Sequence, residues 1–130
     1  MYIDGGVFVK IAVAEVNFNE IQAEVLIVGT FKHPENTTNW SEFVSFYGSS
    51  LDKWLKTGDV STDRKKLTKL PTLQEGKLQR VIFVGLGDRK TLTQDDLRSI
   101  FGIVGKELMA YKTTNVSIWL DSFTNEEIEI

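Results

Sequence analysis

The sequence lacks cysteine and has only two prolines and one histidine among its 130 residues. Without cysteine the chain forms no disulfide framework, no thiolate zinc site and no cysteine nucleophile. Long hydrophobic runs are also missing, because the longest, residues 25–28, is far below the roughly 18 residues that span a bilayer. No basic segment leads into an apolar one at the N-terminus. We therefore predict a soluble, cytoplasmic protein that makes no membrane contact.

Neither sign of charge dominates, since 18 acidic and 15 basic residues give a net charge of -3. The basic residues nevertheless concentrate between Arg64 and Lys90, where eight of them stand against two acidic residues. Such a segment can mark an anionic partner such as DNA, or a solvated strand pair whose lysines protect a sheet edge. The acidic remainder of the chain, and tryptophans that all lie outside the segment, argue against nucleic acid. Both interpretations stay open.

The hydrophobic pattern predicts one domain over residues 1–130, of α/β class, with the element order β, β, α, β, β, α, β. The predicted strands are residues 7–16, 25–31, 65–73, 80–84 and 116–120. Asn39 or Ser41 is predicted to cap the first helix, which Gly58 ends, and Thr93 to cap the second. Because residues 25–31 consist of apolar residues apart from Gly29 and Thr30, we expect a central strand covered on both faces. The segment at 65–73 contains Pro71 and is predicted to be an edge strand.

Three further expectations concern helices. Gly48 should weaken the first helix, while Gly102 and Gly105 lie beside the apolar stripe of the second and should let that helix approach the sheet closely. Residues 124–130 resemble a helix that is just beginning, with Thr124 or Asn125 as its cap. We therefore expect a truncated chain rather than a natural end.

The glycine turn Gly85-Leu86-Gly87 follows a buried strand and precedes a capped helix. A turn of this kind can present backbone N–H groups to a phosphate. However, Lys90 stands where a G-x-G-x-x-G pattern requires its third glycine, five residues separate Gly87 from the Thr93 cap, and no Walker pattern is present. The other interpretation is that Gly85 and Gly87 simply turn the chain sharply at the end of the sheet.

Catalytic patterns are weak throughout the sequence. His33 is a lone histidine beside Pro34, whereas a metal site requires three or four clustered ligands. The acidic pairs at residues 95–96 and 126–127 stand where predicted helices begin, and the helix dipole accounts for them. Gly48-Ser49-Ser50 is not a nucleophile turn between a strand and a helix. We therefore assign no catalytic, no metal-binding and no cofactor-binding residue.

Residues 84–98 comprise Val84-Gly85-Leu86-Gly87, a short polar loop, Leu92-Thr93 and Asp96-Leu97-Arg98. This pattern closely resembles the N-terminal domain of the leucyl (cytosol) aminopeptidases. Residues 23–29 look like the second strand of that family, and residues 48–60 resemble its helix with a glycine-aspartate turn. The similarity spans nearly the whole chain in the same order.

This resemblance implies a three-layer, macrodomain-like α/β fold with a mixed, mostly parallel sheet flanked by helices. It implies a non-catalytic N-terminal domain that is inactive alone, whose parent enzyme removes N-terminal residues from peptides. Two divalent metals, zinc or manganese, would belong to a catalytic domain absent from this sequence. The expected partners are that catalytic domain and sister subunits in a homo-hexamer. The alternatives are a free-standing module that binds a nucleotide or ADP-ribose at Gly85 to Gly87, and a DNA-binding accessory domain that uses Arg64 to Lys90.

Overall fold

A computed structural model describes residues 2–3, 7–12, 18–72, 76–111 and 115–125. The strands are β1 (Tyr2–Ile3), β2 (Val7–Ala12), β3 (Val25–Phe31), β4 (Leu67–Pro71), β5 (Arg80–Gly87) and β6 (Val116–Trp119). The α-helices are α1 (Trp40–Tyr47), α2 (Ser50–Thr57) and α3 (Gln94–Met109). The predicted order of strands and helices is therefore confirmed, with a short first strand added and the first helix divided in two.

The strands form one sheet in the order β1-β2-β6-β3-β5-β4. β3 pairs in parallel with both β5 and β6, and β2 pairs in parallel with β6. β1 and β4 lie at opposite ends and pair antiparallel with their neighbours. The predicted mixed, mostly parallel sheet is confirmed, and Pro71 ends the edge strand β4 as expected, where its missing N–H breaks no central ladder.

The sheet is the middle of three layers, with α3 on one face and α1 and α2 on the other. Successive side chains of a strand point to opposite faces, so each strand contributes to both cores. On β3, Val25 and Ile27 pack toward α3, whereas Leu26 and Val28 pack toward α1 and α2. β5 divides its side chains in the same way. All seven residues of β3 are buried, so the prediction of a central strand covered on both faces is confirmed.

The first predicted helix is interrupted at Gly48, whose φ of 137° lies outside the helical region. Its N–H donates to the carbonyl oxygen of Val44, and its own carbonyl oxygen accepts from the N–H of Leu51. The chain therefore ends α1 and starts α2 at this glycine. Gly58 ends α2 as predicted, and its φ of 85° places it in the left-handed region that is common at such caps.

Thr93 caps helix α3, as predicted, and together with Asp96 it forms a capping box. The Thr93 hydroxyl accepts from the Asp96 N–H at 3.1 Å, and the Asp96 carboxylate accepts from the Thr93 N–H at 3.0 Å. Gly105 is buried in the helix face that packs on the sheet, but Gly102 is exposed. A Cβ at Gly102 would meet no atom within 4 Å, so the prediction that this glycine permits close packing is wrong.

The predicted boundaries change at three places. β5 continues through Gly85 to Gly87 rather than ending at residue 84, since Gly85 pairs within the sheet. A 3-10 turn at residues 120–123 follows β6, and Thr124 is extended, with φ -96° and ψ 146°. The rest of the helix expected at 124–130, and residues 13–16 of the first predicted strand, lie outside the described residues.

Candidate functional site

The carboxyl ends of β3 and β5 lie side by side, and the helices that follow them cover opposite faces of the sheet. The chain passes from β3 to α1 and α2 on one face, and from β5 to α3 on the other. In open α/β sheets such a reversal leaves a crevice outside the strand ends, where ligands commonly bind. The glycine turn, the loop after β3 and the loop after β5 all meet at this position.

The backbone N–H groups of the glycine turn are used within the protein. The N–H of Gly85 donates to the carbonyl oxygen of Lys66 at 2.8 Å, and the N–H of Gly87 donates to that of Thr62 at 2.8 Å. The carbonyl oxygen of Gly85 accepts from the Lys65 N–H at 2.9 Å. These two N–H groups therefore fasten residues 62–66 to β5 instead of facing a phosphate.

The lack of a side chain at Gly85 makes this fastening possible. A Cβ there would overlap the carbonyl oxygen of Asp63 and lie 2.9 Å from the carbonyl carbon of Thr62. Gly87, by contrast, has a φ of 70° at the end of the strand. The interpretation of a sharp turn thus fits Gly87, while Gly85 is needed because a second backbone crosses it closely.

Arg64 closes over the end of β5. Its guanidinium donates to the carbonyl oxygens of Leu86 and Asp88 and to the Thr91 hydroxyl, the last at 2.8 Å. It also lies 3.6 Å from the Asp96 carboxylate. The backbone hydrogen bond from Thr93, with further help from Arg64, lowers the pKa of Asp96 below its ordinary range. Arg64 therefore joins the glycine turn to the start of α3.

A cleft of about 480 Å³ opens at the crevice between the strand ends. The described residues that line it all have polar or charged side chains. They are Lys32, His33, Asn36, Asp88, Arg89, Lys90 and Asn125. His33 is held in the left-handed region, with φ 59°. The Asn125 side chain donates to the carbonyl oxygens of Arg89 at 2.7 Å and Leu92 at 3.1 Å. These two bonds tie the segment after β6 to the wall of the cleft.

Arg89 is the most constrained cation of the cleft. Its guanidinium lies over the Phe31 ring, with 4.2 Å from Cζ to the ring centroid. It donates to the carbonyl oxygen of Thr124 at 3.0 Å and to the Thr37 hydroxyl at 2.9 Å. Its partial burial lowers the pKa of Arg89 from its ordinary value. Arg89 thus connects the ends of three chain segments.

The basic segment between Arg64 and Lys90 is not one continuous cationic face. Besides Arg64 and Arg89, Lys69 pairs with Glu107 at 2.7 Å, and Arg80 lies over the Tyr111 ring at 5.1 Å. Half of the eight basic side chains therefore have partners within the fold. Trp40 and Trp119 supply no base-stacking platform, because they are 5% and 0% exposed and stack on each other.

The described residues do not fit a two-metal site. No group of three or more histidine, aspartate or glutamate side chains comes together in the part of the chain that the structure describes. His33 lies 3.4 Å from Glu35 on the exposed surface. Asp95 pairs with Arg98 at 3.1 Å, and Asp96 caps α3. Ser50 is the first residue of α2, so it occupies no strand-to-helix turn.

Sequence reasoning did not identify Ser122, which covers the central strand. Its hydroxyl accepts from the Gly29 N–H at 2.8 Å and donates to the carbonyl oxygen of Trp119 at 2.6 Å. Gly29 has no room for a Cβ, which would lie 2.6 Å from the Ser122 carbonyl oxygen. The glycine in the run at 25–31 was the available indication of this close approach.

Together, the fold and the cleft define a three-layer α/β domain with a polar crevice at the switch between β3 and β5. The profile of the cytosol aminopeptidase family, N-terminal domain, matches residues 27–130. A curated relative from Exiguobacterium sibiricum, named "Probable cytosol aminopeptidase", is 37% identical over 111 residues. The chain belongs to the cytosol aminopeptidase family and corresponds to its N-terminal domain.

The alignment with this relative covers 85% of the chain but only 22% of the relative. The chain thus spans about a fifth of the length of the curated protein it matches. Among the described residues no helix is long and apolar enough to cross a membrane. The family expected from the glycine turn and its neighbours is confirmed.

Proposed function

We propose that this chain is the non-catalytic assembly domain of a metal-dependent leucyl aminopeptidase that removes N-terminal residues from peptides in the cytoplasm. The observation that carries the proposal is the match of residues 27–130 to the family's N-terminal domain. The alignment with this chain covers only 22% of the relative. This supports the presence of a catalytic domain elsewhere in the full-length protein. We expect the reading frame to continue past Ile130 into that domain.

Several polar groups near the end of β5 form hydrogen bonds within the domain, which supports a structural role. The N–H groups of Gly85 and Gly87, the Arg64 guanidinium and the Asp96 carboxylate all have partners within the fold. Two zinc or manganese ions in the catalytic domain would supply the activated water and polarise the peptide carbonyl. The partners of this chain would be that domain and sister subunits of a homo-hexamer, and its three layers support a macrodomain-like architecture.

The test compares three proteins: the full-length parent, the parent lacking residues 1–130, and this chain alone. Each is assayed with a chromogenic leucine anilide in the presence of zinc or manganese, and its mass is measured by light scattering. We expect activity only in proteins that contain the catalytic domain. We also expect the deletion to lower the number of subunits in the assembly, because the proposed role of this domain is to contact sister subunits.

Two results would contradict the proposal. One is metal-dependent hydrolysis by the 130-residue chain, which would place catalytic groups within it. The other is a deletion protein that is well folded by circular dichroism, fully active and assembled from the same number of subunits as the full-length protein, which would leave this domain without an assembly role. A stop codon directly after Ile130 in the gene would contradict the expected domain order.

A further inference from the structure

The described lining of the cleft between the strand ends carries more basic than acidic side chains, although the chain as a whole has a net charge of -3. Among these described residues, Lys32, Arg89 and Lys90 are basic and Asp88 is acidic. That carboxylate accepts from the Lys90 N–H at 2.9 Å, which fixes it to the loop after β5. A concave site lined by an excess of one charge focuses the field and concentrates ligands of the opposite sign.

Arg89 gives this charge a definite position. Its guanidinium has five N–H donors, and the two hydrogen bonds described go to neutral oxygens of Thr124 and Thr37. Within the described ranges no carboxylate lies within ion-pair distance of it. Arg89 therefore has no carboxylate partner among the described residues. A partly buried cation without such a partner is costly, so an anion placed in the cleft would be stabilised there.

The orientation of Arg89 is also set in advance. The Phe31 ring is fully buried and covers one face of the guanidinium, and the bonds to Thr124 and Thr37 hold its plane. Little side-chain entropy remains to be lost when a ligand binds. Lys32 and Lys90 are exposed at the rim, where two flexible ammonium groups can close on a multiply charged anion.

We propose that this cleft binds the phosphate groups of a nucleotide-sized ligand, with Arg89 at the base and Lys32 and Lys90 at the rim. The volume of about 480 Å³ falls within the range of small-molecule sites, roughly 300 to 1,000 Å³. The ligand position differs from the glycine turn, because the N–H groups of Gly85 and Gly87 already have partners. The side chains of the two loops recognise the phosphate instead. This binding role is additional to the assembly role proposed above.

The experiment titrates the 130-residue chain with pyrophosphate, ADP and adenosine by calorimetry at low salt, after circular dichroism has shown that the chain is folded. We expect pyrophosphate and ADP to bind and adenosine not to bind. Amide shift changes in NMR spectra should centre on Lys32, Asn36 and Lys90. Affinity should fall as salt is raised, because the rim contacts are exposed and therefore screened.

The variant Lys32→Ala/Lys90→Ala should bind pyrophosphate about tenfold more weakly, since two charge-assisted contacts are lost. The matched control is Lys53→Ala/Lys56→Ala, which removes two exposed lysines from α2, outside the cleft lining. Both variants leave Arg89 and its fold contacts in place. Three results would each overturn the proposal. They are no binding by the folded, unsubstituted 130-residue chain, an equal loss of affinity in the two variants, and adenosine binding as tight as that of ADP.

Discussion

Replacing Gly85 with alanine is expected to destabilise the domain, although it adds only a single methyl group to a strand. The new Cβ would overlap the Asp63 carbonyl oxygen, lie 2.7 Å from the Asp63 carbonyl carbon and lie 2.9 Å from that of Thr62. All three are backbone atoms, so no side chain can rotate away to make room. Either residues 62–63 move outward or β5 moves inward against a close-packed core.

The magnitude follows from the hydrogen bonds that such a movement breaks. Three backbone bonds, at 2.8, 2.8 and 2.9 Å, join residues 62–66 to Gly85 and Gly87. Each contributes about 1 kcal/mol, so we expect the free energy of unfolding to fall by about 2–4 kcal/mol. For a chain of this size that corresponds to a melting temperature lower by roughly 10 °C.

Urea unfolding followed by circular dichroism measures this change, with thermal melting as a second readout. The comparison variant is Gly102→Ala, the same chemical change at an exposed helical site where the Cβ meets nothing within 4 Å. If the free energy of unfolding of the Gly85→Ala protein stays within about 0.5 kcal/mol of that of the unsubstituted chain, then close contact with the backbone of residues 62–63 does not require glycine at this position.

Three other predictions concern the framework around the cleft. Gly102→Ala should raise the free energy of unfolding by about 0.5–1 kcal/mol, because glycine is unfavourable inside an exposed helix; a decrease in urea melts would contradict this. Ser122→Ala should lower it by about 1–3 kcal/mol, since the buried Gly29 N–H loses its acceptor, and the same melts check the loss. Asp96 has a pKa lowered from its ordinary 3.8, chiefly by the Thr93 N–H. Its stabilising contribution is therefore complete above pH 3.8 and is lost as the pH falls through the lowered folded value. Asp96→Asn should flatten this acid limb in urea melts taken across pH, and an unchanged limb would show that another group is responsible.

The candidate site was only partly predictable from the sequence. The sequence singled out Gly85 and Gly87 and left open whether they bind phosphate or only turn the chain. It did not predict the partners of their N–H groups, because Thr62 and Lys66 come from a loop far away along the chain. Arg89 stood within a basic segment that gave no reason to single it out. Its importance arises from Phe31, Thr37 and Thr124, which only the folded sheet brings to it.

Local patterns determined most of the fold. The apolar run at 25–31 identifies a strand that is covered on both faces, Pro71 identifies the edge strand, and Thr93 with Asp96 identifies the start of α3. Each of these depends on neighbours within a few residues, so the sequence by itself carries the information. The pattern at 84–98 was also sufficient to indicate the family.

The tertiary structure decided what those elements do where they meet. The missing side chain at Gly85 lets the backbone of residues 62–63 cross β5, and the missing side chain at Gly29 lets the 3-10 turn at residues 120–123 approach β3. At Gly102, by contrast, a Cβ would contact no other atom within 4 Å. The sequence alone does not distinguish these three roles, because the effect of a missing side chain depends on which atoms lie beside it in the folded structure. The charge of the cleft was decided in the same way, since its lysines and arginine come together only when β3 and β5 end side by side.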